Sequence, residues 1–145
     1  MKFNIRVYGL LIHQDQILLS DEIRKGFQFT KFPGGGLEFG EGIKDCLIRE
    51  FREELNIPIV ITSLFYLTDF FQVSAYDQNE QIISVYYLVK SKHTKDILIK
   101  EKKFDFEGKE DQETHRWYPI KELNAINFHF PIDQYVVHKI KAELS

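Results

Sequence analysis

Three glutamates on one short segment, Glu50, Glu53 and Glu54, have the types and spacing to do chemistry. At i, i+3 and i+4 they share one face if the segment is helical. Like charges stacked this way cost a helix about 0.2–0.5 kcal/mol per pair, so something positive should offset them. Arg49 lies four residues before Glu53 and can pair with it, which leaves Glu50 and Glu54 without an evident partner. A hard divalent cation suits that gap, because Mg²⁺ takes oxygen ligands and shares them with substrate phosphates. Just upstream, six of the eight glycines fall between Gly26 and Gly42, so the backbone there turns sharply or approaches something closely. The amides of such a loop, and the helix N-terminus after it, can meet a metal or a phosphate. Either feature alone is commonplace: acidic helix faces are usually just solvated, and glycines after a strand usually make a turn. Their joint spacing is what carries information.

That spacing runs Gly35, Glu41, Arg49-Glu50, Phe51, Glu53-Glu54, Ile57. It resembles the Nudix box, Gly-x₅-Glu-x₇-Arg-Glu-U-x-Glu-Glu-x-Gly-U, where U is a bulky apolar residue. The six fixed Gly, Arg and Glu positions would match by chance on the order of once in ten million windows. The flanks agree, with strands before the box, Phe32-Pro33-Gly34-Gly35 leading in and Arg116-Trp117 near the C-terminus. One position departs: the box's last glycine is Asn56 here. A glycine there ends the helix in the left-handed conformation, and Asn is the next most tolerant residue for it. A small stability cost with intact chemistry is expected.

The resemblance implies an α/β/α sandwich, a mixed β-sheet between helices, with the metal site at the loop–helix junction. It implies Mg²⁺, or Mn²⁺ in some members, held by Glu50, Glu53, Glu54 and the Gly35 carbonyl. Arg49 would orient a glutamate, and Glu41 would steady the junction. The proton acceptor for an attacking water would be Glu50, Glu53 or a glutamate from a loop. Glu110, in Gly108-Lys109-Glu110, precedes Trp117 much as a catalytic glutamate does in MutT-type nucleoside triphosphatases, with Glu107 and Glu113 as rivals. In that branch the C-terminal region helps hold the base: Phe128 or Phe130 would stack on it, unless they are core, and Asp133 or Asn127 would bond its edge. Arg24 and Lys25 are candidates for phosphate contact. The implied reaction is hydrolysis of a pyrophosphate bond in a nucleoside diphosphate linked to another group. A nucleoside triphosphate is favoured as substrate, ADP-ribose or a nucleotide sugar is the rival, and a nucleotide-sensing domain without turnover is the alternative of another class. Many relatives dimerise, so a homodimer is carried over as an expectation.

Elements must position these residues. Ile5–Ile12 reads as a strand buried on both faces toward its end, and Gln16–Ser20 as a strand returning from a turn. Asp21–Gly26 reads as a polar loop and Phe27–Phe32 as another strand, ended by Pro33. Ile43–Leu55 carries Ile43, Cys46, Leu47, Phe51 and Leu55 near helical spacing, with charges on the other face. Ile59–Phe71 and Gln81–Val89 read as strands. Asp105–Thr114 reads as an acidic loop, Trp117–Pro119 as a strand end and the region from about Asp133 as a last helix. The whole reads as one domain over residues 1–145.

Composition sets the outer limits. Of 145 residues, 43% are hydrophobic and 28% charged, ordinary for a globular domain. The net charge is −3 and no Lys/Arg run suggests a polyanion track, so a nucleic-acid partner is not indicated. No apolar run approaches a membrane span, and the N-terminus lacks the layout of a signal peptide. Cys46 is the sole cysteine, which excludes an intrachain disulfide and fits a reducing compartment, so a cytoplasmic location is expected. The five histidines show no zinc-type spacing and receive no role.

Overall fold

In the computed structural model, which describes residues 1–145, the first strand β1 (Lys2–His13) is the spine of the fold. Its alternation turns Val7 and Leu11 to one face of the sheet and Tyr8 and Leu10 to the other. β1 runs parallel to β6 (Glu80–Lys90), from Lys2↔Glu80 to Leu11↔Val89. On its other side it pairs antiparallel with the short β4 (Gly34–Gly36), and β5 (Val60–Leu67) continues the sheet antiparallel to β6. A turn through Gln14 and Asp15, both at positive φ, leads into β2 (Gln16–Arg24). β2 is flanked antiparallel by β3 (Phe27–Lys31) and β7 (Gln112–Pro119). The mixed sheet therefore has two wings, β4-β1-β6-β5 and β3-β2-β7, joined at the β1–β2 corner.

One helix covers each face. Helix α1 (Ile43–Leu55) buries Cys46, Leu47, Phe51 and Leu55 against Val7, Leu11, Leu18 and Val89. It approaches β1 closely: a Cβ on Gly9 would lie 2.6 Å from the Phe51 ring. The helix ends at Asn56 with φ 54° and ψ 39°, and the Asn56 N–H donates to the Arg52 carbonyl at 3.0 Å. This is the left-handed turn expected of Asn in a glycine position. Helix α2 (Pro131–Glu143) packs Ile132, Val136, Val137 and Ile140 on the opposite face, against Tyr8, Leu10, Leu19 and Tyr86. The expected α/β/α sandwich with a mixed sheet is thus the fold observed. No helix is long and apolar enough to cross a membrane.

Two differences from the sequence reading matter for the site. β2 does not stop at Ser20; it continues through Asp21, Glu22 and Ile23 to Arg24, with Ser20, Asp21 and Glu22 buried. Burying such residues is costly unless they are partnered, which is why the run reads as a loop. The partners come from β3 and β7. Likewise β7 begins at Gln112, inside what reads as an acidic loop, because it pairs with the polar end of β2 as far as Ile23↔Gln112. The last helix begins at Pro131, slightly earlier than its apolar pattern suggests, with proline suited to the first turn.

Candidate functional site

The glycines of β4 bring backbone and carboxylate together. A Cβ on Gly35 would lie 2.5 Å from Glu50 Oε1, so the missing side chain makes room for the glutamate. Arg49 organises the rest of the junction. Its Nε and Nη2 donate to Glu41 Oε2 and Oε1 at 2.9 and 2.7 Å, and Nη2 also reaches the Gly36 carbonyl at 3.1 Å. Its Nη1 donates to Glu50 Oε1 at 3.0 Å and Glu53 Oε2 at 3.2 Å. Arg49 therefore answers two of the three box glutamates, where spacing alone pairs it only with Glu53. Glu41 also accepts from the Glu38 N–H at 2.9 Å, and these bonds hold its carboxyl down to about 2.

Glu54 is the glutamate that Arg49 does not bond. It faces the β2–β7 ladder, in which Leu18↔Trp117, Ser20↔His115 and Glu22↔Glu113 stand directly opposite one another. Paired residues project to the same side, so this face changes from apolar to acidic along the strands. One ligand atom from each of Glu54, Glu113 and His115 lies within 4.8 Å of the others. Glu54 Oε2 and His115 Nε2 are buried and have no hydrogen-bond partner. Burial pushes the Glu54 carboxyl up to about 8; Lys31 opposes the rise, while Glu113, Glu50 and Glu22 add to it. Burial and then Glu22 raise the Glu113 carboxyl as well. Burial, with Lys31 nearby, lowers His115 to about 4, so its ring is neutral at physiological pH.

Lys31 is the buried cation of this region. Its Nζ sits 2.9 Å from Glu22 Oε2 and donates to the Phe32 and Gly34 carbonyls at 3.3 and 3.2 Å. Burial alone would raise the Glu22 carboxyl, but Lys31 and Arg24 outweigh it and hold the group below its ordinary value.

Beside the acidic cluster opens a cleft of about 520 Å³. Arg6, Tyr8, Glu22 and Lys31 line it, together with Arg24, Lys25, Phe130 and Asp133 from the sequence reading. Asp133 is 4% exposed, accepts from the Tyr86 hydroxyl at 2.5 Å, and is pushed by burial up to about 6. Phe128 does not join them. It is 2% exposed and stacks on Phe32 at 5.2 Å within the core, so its ring is committed to packing. Glu110 is also apart: it is exposed in the loop before β7 and lines neither this cleft nor the smaller recess at Glu54. Of the three acidic-loop glutamates, Glu113 is the one beside Glu54. Arg6, Lys31 and Glu22 have no site role in the sequence reading, and His115 is set aside there with the other histidines. Arg6, inside the run Ile5–Ile12, carries the one local signal; Glu22, Lys31 and His115 sit in consecutive polar residues that give none.

Buried carboxylates without partners are costly, and a hard cation with oxygen ligands is the natural relief. The orphaned Glu54 oxygen and the glycine cradle under Glu50 fit such an ion. The NUDIX domain model matches residues 2–139. An uncharacterized Nudix hydrolase, YvcI of Bacillus subtilis (strain 168), is 44% identical over 46 residues, which is 32% of this chain. The matched stretch spans only 28% of that relative's length. The solution structure of the E. coli ORF135 protein superposes with a TM-score of 0.70 at 21% identity, covering 98% of this chain and 91% of that one. A MutT NUDIX hydrolase from Burkholderia pseudomallei does so at 0.68 and 16% identity, covering 95% and 98%. At these identities the structural likeness speaks for the fold. The domain match takes in all seven strands, the box helix and most of the closing helix, and on that extent the chain belongs to the Nudix family.

Proposed function

We propose that the chain hydrolyses a pyrophosphate bond in a nucleoside diphosphate linked to a further group, with a nucleoside triphosphate as the favoured substrate. The observation that carries this reading is the half-buried Glu54 in the last turn of α1, whose Oε2 is buried without a partner, near the buried Lys31 that lines the cleft. Glu50, Glu53 and Glu54, with the Gly35 carbonyl, would hold Mg²⁺, or Mn²⁺ in its place. Such an ion, when bound, supplies positive charge to the phosphoryl oxygens and lowers the pKa of the attacking water.

The chain's own residues take the remaining roles. Arg49 holds Glu50 and Glu53 by hydrogen bonds, and Lys31, Arg6 and Arg24 offer charge to phosphates in the cleft. Glu50, Glu53 or a glutamate from the β7 side accepts the water's proton; Glu113 stands closer to the cluster than Glu110 does. Phe130 presents an aromatic edge to the cleft, packed on Phe29 at 5.1 Å, and Asp133 accepts hydrogen bonds from the N–H edge of a base. A volume of about 520 Å³ suits a nucleotide-sized ligand.

The test is product formation from a panel of dNTPs, oxidised purine triphosphates, ADP-ribose, nucleotide sugars and dinucleoside polyphosphates, with Mg²⁺ and with chelator. Cleavage of a triphosphate to the nucleoside monophosphate and pyrophosphate, lost with chelator, is the expected result. Preferred cleavage of ADP-ribose or a nucleotide sugar would replace the substrate. Tight binding without turnover of any compound would replace the enzyme with a sensor.

A further inference from the structure

We propose that Glu113 and His115, meeting Glu54 from β7, form a further cation position beside the box glutamates, suited to a borderline ion such as Mn²⁺ or Co²⁺. It rests on the reading of Glu54 as a cation ligand and deepens it, because a ring nitrogen lies outside the box. Three observations converge. The ligand atoms of Glu54, Glu113 and His115 lie within 4.8 Å of one another. His115 is 5% exposed, and its Nε2 finds no hydrogen-bond partner. Glu54 Oε2, on the opposite wall, is equally orphaned.

Ligands at about 2.1 Å from one ion stand at most roughly 4.2 Å apart, so side-chain shifts below about 1 Å would close the set. The strand itself is held in place: Ser20 pairs with His115 across the ladder, and the Lys100 N–H donates to the His115 carbonyl at 2.8 Å. Trp117, two residues on, packs with the α1-side core, so the site has an apolar floor. A recess of about 300 Å³, lined also by Asp96, Lys100 and Thr114, gives an ion a way in. Imidazole with carboxylates suits first-row transition ions, whereas Mg²⁺ prefers oxygen alone. Glu54 would then be shared between the box ion and this one.

The experiment is pulsed electron paramagnetic resonance on Mn²⁺-loaded protein, with a binding titration of the same sample. A directly coordinated ¹⁴N coupling in the wild type, lost in His115→Gln together with one equivalent of bound Mn²⁺, is the expected result. Glu113→Gln should weaken the same equivalent about tenfold or more. Coupling that is absent from the wild type, or that persists in His115→Gln, overturns the proposal. The wild-type signal decides even if a variant fails to fold. Bound Mn²⁺ without nitrogen, removed by Glu54→Gln, would sink this site while sparing the box reading; no bound Mn²⁺ at all would sink both.

Discussion

Asp21 and Glu22 are neighbours on β2, both buried, and they face opposite sides of the sheet, into two regions of different character. Asp21 is answered entirely by the chain. It accepts from Arg116 Nε and Nη2 at 2.6 and 3.2 Å, from Thr30 Oγ1 at 2.7 Å and from the Phe104 N–H at 3.3 Å. On the other side Glu22 is itself paired with Lys31, Arg24 and Ser20, but it stands opposite Glu113 beside a cluster in which Glu54 and His115 keep unpartnered atoms. The first region is a closed network that ties β7, β3 and the preceding loop to β2. The second has more negative charge than the chain neutralises. Burial alone therefore does not tell a structural acid from a functional one; the count of partners does.

Five variants can break or sharpen that contrast. Arg116→Ala leaves Asp21 buried and unpaired, which should cost about 3–5 kcal/mol of folding stability in urea melts. Turnover per folded molecule should stay near wild type. Glu54→Gln should do the reverse: hydrolysis falls about 10³-fold, roughly 4 kcal/mol of barrier, while metal-free stability holds or rises slightly. If Glu54→Gln instead unfolds the protein, Glu54 is another Asp21 and the contrast fails.

Gly35→Ala probes the cradle. The atoms nearest the new Cβ all belong to the movable end of Glu50, so stability should change by less than about 1 kcal/mol while activity drops about 10–100-fold. Gly34→Ala is the structural counterpart. Gly34 has φ 147°, and its Cβ would lie 2.1 Å from the Val7 carbonyl oxygen, so folding suffers before activity can be read.

The smallest effect concerns Asp133. Its carboxyl keeps its proton to about pH 6 in the fold, against an ordinary value of 3.8. The stabilisation linked to that proton is complete below about pH 3.8 and is lost as pH rises through about 6. Thermal midpoints of metal-free protein should therefore decline by several degrees over this window, a loss that Asp133→Asn removes. An equal decline in the variant would assign it to another group.

Much of this was readable before the structure. The shared face of Glu50, Glu53 and Glu54 follows from spacing within one helix, which local geometry dictates, while Arg49, Glu41 and the left-handed Asn56 were pointed to by the resemblance to the Nudix box. The partners of Glu54 do not. Glu22, Lys31 and His115 come from three strands, and only the β2–β3 and β2–β7 registers bring them together. The polar end of β2 looked like a loop because its partners lie far along the chain. Phe128 and Phe130 could not be told apart until the chain's alternation entering α2 put one in the core and the other in the cleft.

The most direct test of the central claim is the rate of pyrophosphate cleavage as a function of Mg²⁺ concentration, for wild type and for folded Glu54→Gln. A saturable dependence on Mg²⁺ in the wild type, with the variant about 10³-fold slower at every concentration, is the predicted result. Cleavage independent of the metal, or equal rates in the two proteins, would contradict the account.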